Sequence, residues 1–105
     1  MNKRKMEKLK AAGWRVGNSE DFLELSKEDA AMIEMKIALA ASLRRRRIRR
    51  KLTQAELAKV LKSSQSRVAK MEAADSSVTI DLLLRSLLAL GVSRRDLAMT
   101  LSPAA

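Results

Sequence analysis

The sequence predicts an all-α domain, and three observations support this class. Hydrophobic residues make up 47% of the 105-residue chain, yet it has only 3 glycines and 1 proline, too few for the many turns of a β-sandwich or barrel. Apolar residues recur at helical spacing in several segments. A Ser or Thr able to cap a helix stands before each of these segments. We expect five helices preceded by an amino-terminal arm.

The arm, residues 1–25, is basic and contains the only Trp of the chain in a glycine-flanked segment. Trp14 has two interpretations. It either packs against its own domain or docks a protein partner, since Trp is enriched among interface anchors. The sequence does not separate the two.

The first helix is expected to be long, because Ser26 and Asp29 form a capping signal and the apolar pattern continues to about Arg50. Arg47 falls near the middle of the apolar face, where a guanidinium needs a partner. Glu72, on the inward side of a later helix, is the best candidate, so an Arg47–Glu72 ion pair is predicted. Four neighbouring cations remain available for phosphates or for solvation, namely Arg44, Arg45, Arg49 and Arg50.

Residues 53–72 predict two short helices joined by a tight turn. Thr53 caps the first, with Glu56 closing a capping box, and Ser64 caps the second. Three or four residues connect the two helices, which is the spacing of a helix-turn-helix.

The second of these helices has the polar face of a DNA reader. At about 100° per residue, Val68 and Met71 turn inward and Ser66 and Lys70 turn outward, while Gln65 occupies the exposed amino-terminal end. Gln can read an adenine edge, and Ser and Lys can contact bases or phosphates. The alternative is an ordinary solvated face, which would be the better interpretation of an isolated short helix.

Two further helices complete the domain, which we place at residues 26–101 with a tail at 102–105. Thr79 caps an apolar helix over Ile80 to Leu90 that Gly91 ends, and Ser93 begins a last helix through about Met99. Surplus apolar groups predict a homodimer, since one such domain contacts too few base pairs for tight specificity. Leu82 and Leu88 are the preferred interface, Met32 and Met35 a second possibility, and burial in the monomer the alternative.

Charge points to a polyanionic partner, because 22 Lys and Arg oppose 12 acidic residues for a net +10. With no Cys and no His, thiolate and imidazole chemistry is excluded, so we expect no enzyme, no metal and no cofactor. No apolar run reaches the roughly 18 residues of a membrane span. The expected location is the cytoplasm.

Residues from about Leu39 to Leu97 resemble the Xre family, the lambda-type and Cro-type repressors. The resemblance is carried by Leu52-Thr53-Gln54-x-Glu56-Leu57-Ala58, by Ser64-Gln65-Ser66-Arg67-Val68-x-Lys70-x-Glu72 and by the pattern from Ile80 to Ser93. It implies a transcriptional repressor that binds double-stranded operator DNA, and it supports the Arg47–Glu72 pair. It also implies base contacts by Gln65, Ser66 and Lys70, a phosphate contact by Gln54 and a backbone contact by Arg67. Beyond the resemblance, we expect Ser64 and Arg49 to make phosphate or flanking contacts.

Two features depart from the common pattern of that family. Lys51 and Lys62 stand where Gly is usual at helix ends, so these turns either hold Lys in a left-handed conformation or adopt another geometry. The long extension before the fold, through Gly13-Trp14 to Glu28, resembles HigA-like antitoxins, which repress their own operon and neutralise a RelE-like (HigB-like) toxin.

Two other functions stay open at this point. The chain could be a protein-interaction module that neutralises a RelE-like toxin without significant DNA binding. It could also be a basic RNA-binding protein, although Trp14 and Phe22 are the only aromatic residues available for stacking on bases.

Overall fold

The computed structural model describes residues 26–103, so the predicted arm and Trp14 lie outside the described residues. The described part contains five helices and no strand, which confirms the all-α class. In chain order they are α1 (Lys27–Arg49), α2 (Gln54–Val60), α3 (Gln65–Glu72), α4 (Ile80–Ala89) and α5 (Arg94–Leu101). The last helix runs two residues beyond the predicted Met99, and the Thr100 hydroxyl donates to the Asp96 carbonyl within its final turn.

Each of the five helices in residues 26–103 begins with a hydroxyl cap on an extended residue. The five capping residues are those predicted from the sequence: Ser26, Thr53, Ser64, Thr79 and Ser93. Each side-chain oxygen accepts from the backbone N–H three residues later, which satisfies a donor that has no partner inside the helix. At α2 the bond is reciprocal, because Thr53 N–H donates to Glu56 Oε1 over 2.9 Å. Local sequence therefore sets where each helix starts.

Four helices end in one backbone motif, with a left-handed residue followed by an N–H that returns to the last turn. The left-handed residues are Lys51, Lys62, Ala74 and Gly91, with φ of 58°, 54°, 53° and 87°. At the turn between α2 and α3, for example, Ser63 N–H donates to the Ala58 carbonyl over 2.8 Å. Both lysines thus adopt the left-handed conformation, at a conformational cost that Gly would not incur.

The core lies between α1 and the other helices. α1 packs against α3, α4 and α5, and α2 packs against α3. Its centre consists of fully buried apolar side chains from four helices, namely Leu39, Leu43, Leu57, Val68, Met71, Leu83 and Leu87. Val68 and Met71 point inward as predicted, so the opposite side of α3 faces away from the core.

Arginines at the end of α1 tie it to three other parts of the fold. Arg46 lies 4.0 Å from the Asp96 carboxylate on α5. Arg47 reaches Glu72 on α3 over 2.6 Å. Arg50, left available for phosphates by the sequence, donates through Nη2 to the Leu90 carbonyl at the end of α4. Part of the basic run from residue 44 to residue 50 therefore forms contacts within the domain.

Candidate nucleic-acid interface

The outer side of α3 carries the residues predicted to read DNA. Gln65, Ser66 and Lys70 are all exposed, whereas Val68 and Met71 are buried on the opposite side. The helix begins at Gln65 because Ser64 is extended and accepts from Arg67 N–H over 3.1 Å. The amino-terminal end of α3 is thereby presented to solvent with its polar residues together.

The Gln65 side chain is held by a residue of the preceding helix. Its Nε2 donates to Oε1 of Gln54, the first residue of α2, over 2.8 Å. An amide nitrogen has two hydrogens and an amide oxygen accepts two bonds. One Nε2 hydrogen and the whole of Oε1 of Gln65 therefore remain free to meet a ligand.

Gln54 in turn donates a hydrogen bond to a residue that lies closer to the core. Its Nε2 donates to Glu72 Oε1 over 3.3 Å, so both ends of the Gln54 amide are engaged. The resemblance implies a phosphate contact for Gln54, and its second Nε2 hydrogen could serve that role. The bridge to Glu72 was not predicted from the sequence, because it depends on how α2 and α3 cross.

Arg47 and Glu72, which the sequence predicts to pair, form a bidentate ion pair. Arg47 Nε donates to Glu72 Oε2 over 2.6 Å and Nη2 donates to Oε1 over 3.0 Å. Nη1 of the same guanidinium donates to the Leu52 carbonyl over 2.9 Å. The side chains are only 14% and 4% exposed. Hydrogen bonding to Glu72 is the main reason that the pKa of Arg47 is raised, while burial opposes it.

A shallow cavity lined by cationic and hydroxyl residues lies beside α3, on the side where Leu82 of α4 lies. Arg67, Lys70 and the hydroxyls of Ser64, Ser66 and Ser77 line this cavity, whose volume is about 310 Å³. Asp75, in the turn after α3, accepts from the backbone N–H and the hydroxyl of Ser77. These bonds, the hydroxyl first, lower the pKa of Asp75. The turn beside α3 is thus fixed by its own side chains.

Arg49, predicted to contact phosphate, lies at the last position of α1 and is exposed. Arg44 and Arg45 are exposed as well. Within residues 26–103 none of the three forms an ion pair or side-chain hydrogen bond. Their charges are therefore available to a polyanion, unlike those of Arg46, Arg47 and Arg50.

Leu82 and Leu88, predicted to form a dimer interface, lie on different sides of α4. Leu82 is partly buried against the core and lines the cavity beside α3. Leu88 is 50% exposed. Six residues at about 100° each separate them by roughly 240°, and Asp81 and Arg85 form an exposed ion pair between them. A single apolar contact does not cover both leucines.

Lys36 is a buried lysine that no sequence pattern singled out. It lies on the core side of α1 and is 5% exposed. Burial lowers its pKa, and the nearby charge of Asp75 acts in the opposite direction. Lys36 thus places a positive charge beneath the turn that follows α3.

Metal-binding and membrane-spanning features are absent from the described part of the chain. Residues 26–103 bring together no group of three or more acidic side chains suited to a metal ion. Over the same range, no helix is both long and apolar enough to cross a bilayer.

Comparison with known proteins gives one match. A family model described as helix-turn-helix matches residues 43–97, slightly over half of the chain. No curated protein and no solved structure matches the chain. The match contains α2, the turn and α3, and it begins inside α1, so residues 27–42 of that helix lie in front of it.

Proposed function

The chain belongs to the helix-turn-helix family of Xre and lambda Cro-type DNA-binding proteins, and from this we propose that it is a sequence-specific transcriptional repressor. One observation carries the proposal. Gln65 stands exposed at the first position of α3 with its amide already oriented by Gln54. A reading residue held in place before binding loses less conformational freedom on binding than a free one.

In the proposed complex α3 lies in the major groove with its amino-terminal end against the bases. The free Oε1 and the remaining Nε2 hydrogen of Gln65 match the N6 donor and N7 acceptor of adenine. Ser66 and Lys70 contact neighbouring base edges. Arg67, Arg49 and Ser64 contact phosphates, which fix the register but carry no sequence information.

We propose that two copies bind together, with half-sites one helical turn, about 34 Å, apart on one face of the duplex. Leu88 supports this because it is a half-exposed leucine on the solvent side of α4. Leu82 gives less support to a dimer, because this side chain packs against the core and lies beside α3.

The proposed function is tested by selecting binding sites from a pool of random duplexes with the full chain. We expect enrichment of inverted repeats whose half-sites are about 10 base pairs apart and contain adenine opposite Gln65. If the selection enriches no sequence, the chain binds DNA through charge alone and is not a sequence-specific repressor. The same selection with Gln65→Ala serves as the control and should lose the adenine preference.

We further propose that the repressor is the antitoxin of a toxin–antitoxin pair that autoregulates its operon. This finer proposal is supported by the resemblance of the extension before the fold to HigA-like antitoxins. It requires a small ribonuclease-like gene beside this one, whose product loses toxicity when the two are co-expressed. If the toxin is neutralised but the random-duplex selection fails, the chain is an interaction module alone.

RNA binding is the weaker alternative. Both aromatic residues, Trp14 and Phe22, precede the helix-turn-helix domain, so the domain itself offers no aromatic ring for stacking on an unpaired base. Competition of structured RNA against selected duplex DNA separates the two functions, and preferential release by RNA would favour the alternative.

A further inference from the structure

Arg50 makes a contact that neither the apolar core nor the candidate DNA interface accounts for. It stands at the C-cap of α1, and its Nη2 donates to the backbone carbonyl of Leu90, the C-cap of α4. Carbonyls in the last turn of a helix lack partners inside the helix, and the helix dipole favours a cation at that end. Arg50 therefore supplies both a donor and a positive charge to the end of α4.

The corner between α1 and α2, residues 50–53, is thereby held on two sides. Arg47 donates through Nη1 to the Leu52 carbonyl over 2.9 Å, and its other two nitrogens hold Glu72 of α3. The backbone closes the corner, since Leu52 N–H donates to the Arg47 carbonyl over 3.1 Å. Arg50 holds the same corner to α4. Two arginines three residues apart thus connect one corner both to the helix proposed to read bases and to α4.

The contact of Arg50 with α4 lies next to the side chain proposed to join two copies. Leu88, which is 50% exposed, is only two residues before Leu90 in α4. On the other side of the corner, Gln54 begins α2 and accepts the hydrogen bond that orients Gln65. The corner therefore connects the proposed dimer surface with the side chain proposed to read a base.

We infer that Arg50 is a positioning residue that fixes the two reading helices of a dimer relative to each other, and thereby sets the half-site spacing that the protein accepts. This inference rests on the proposed binding of two copies. Each copy meets its half-site through α3, whereas the copies meet at α4, so the spacing depends on how firmly the end of α4 is held to the corner. One base pair added between half-sites moves one of them by about 3.4 Å and turns it by about 35°. A rigid dimer rejects that change, and a dimer with a loosened corner tolerates it.

Phosphate contact is the competing role for Arg50, because its side chain is exposed and it lies four residues before Gln54. The two roles predict different results. A phosphate contact contributes to every complex, including one with a single half-site. The hydrogen bond to α4 matters only when two half-sites are bound at once.

The experiment compares Arg50→Gln with the parent protein on three duplexes: a single half-site, the selected inverted repeat, and that repeat with one base pair inserted at its centre. Fluorescence anisotropy of the labelled duplexes gives the affinity for each. We expect Arg50→Gln to bind the single half-site as the parent does, which also shows that the variant is folded. Its preference for the selected repeat over the lengthened one should fall by roughly two- to tenfold, the effect of one hydrogen bond.

Arg49→Gln is the matched control, because Arg49 is the adjacent exposed arginine and makes no such contact with α4. It should weaken binding to all three duplexes alike and keep the spacing preference. If Arg50→Gln also weakens all three by one factor, or changes none of them, its positioning role is overturned while the proposed repressor stands. If the parent protein itself shows no preference between the two repeats, the proposed binding of two copies fails, and this role of Arg50 fails with it.

Discussion

The side-chain amide of Gln65 donates to that of Gln54 over 2.8 Å, and Gln54 donates in turn to Glu72 over 3.3 Å. Glu72 is held by Arg47 on α1. The exposed residue at the start of α3 is therefore connected to a nearly buried ion pair through one intermediate side chain. A change at the ion pair should affect both stability and base reading.

Glu72→Gln tests this connection. We expect the free energy of unfolding to fall by about 3 to 5 kcal/mol, because Arg47 keeps its charge in a poorly solvated place and loses its carboxylate. The measurement is urea denaturation followed by circular dichroism. In a folded sample we also expect weaker discrimination at the base read by Gln65.

Asp81→Asn is the matched control for Glu72→Gln. It removes a carboxylate that pairs with Arg85 over 3.0 Å, but both side chains are more than 70% exposed. Exposed pairs contribute little, so stability should stay nearly unchanged. Equal stability of the Glu72→Gln and Asp81→Asn proteins would show that the Arg47–Glu72 pair has no structural role.

Gln65→Ala and Arg49→Ala should separate base reading from phosphate contact. The first is expected to reduce the difference in affinity between selected and random duplexes. The second should weaken both alike and lower the slope of log affinity against log salt by about one unit. Fluorescence anisotropy over a salt series measures both. If Gln65→Ala weakens both duplexes equally, Gln65 does not read a base.

Lys62→Gly should stabilise the domain. Lys62 has φ of 54°, a conformation that costs an L-residue roughly 1 to 2 kcal/mol and glycine almost nothing. We expect a gain of about 1 kcal/mol in denaturant titration, after the greater chain entropy of glycine is offset. Lys59→Gly, inside α2, is the control and should lose about 1 kcal/mol. A loss at both positions would contradict strain at Lys62.

Leu88→Lys tests the proposed dimer. We expect the variant to sediment as a monomer at micromolar concentration, since the added charge would have to be desolvated at the interface. Its monomer should keep the helical content of the parent because Leu88 is half-exposed. A dimer that survives the substitution would exclude this side of α4 from the interface.

Acid should destabilise the domain partly through two carboxyls, those of the exposed Glu56 and the partly buried Asp75. Hydrogen bonds from Thr53 lower the pKa of Glu56, and hydrogen bonds from Ser77 lower that of Asp75, from ordinary values of 4.5 and 3.8. A lowered pKa in the folded state means that the unfolded chain binds the proton more readily. The stabilisation is complete above the ordinary values and is lost as pH falls through the lowered ones. Thermal unfolding from pH 7 to 2 should show this loss.

Glu56→Gln is the matched variant for the acid prediction. Glutamine can still bond the Thr53 N–H in a capping box but does not titrate. The melting temperature should therefore change little at pH 7 and fall less steeply below pH 4.5. A decline identical to that of the parent would mean that Glu56 makes no contribution.

Helix starts were predictable because a hydroxyl cap acts within three residues of its own position, as at Thr53 and Ser64. The inward side of α3 was predictable from the spacing of Val68 and Met71. The engagement of Gln54 by both Gln65 and Glu72 was not, since it depends on the crossing of two helices. Nor was the bond from Arg50 to the Leu90 carbonyl, because forty residues separate the partners.

The three guanidiniums that tie α1 to the other helices make net charge a poor guide to function. Replacing Arg46, Arg47 and Arg50 by Lys would keep the formal charge at +10. A lysine ammonium, however, cannot form the two parallel hydrogen bonds that the planar Arg47 guanidinium donates to Glu72. Such a triple variant would still be retained on heparin or another polyanionic resin. Retention on such a column therefore reports the number of charges and not whether the molecule can recognise an operator.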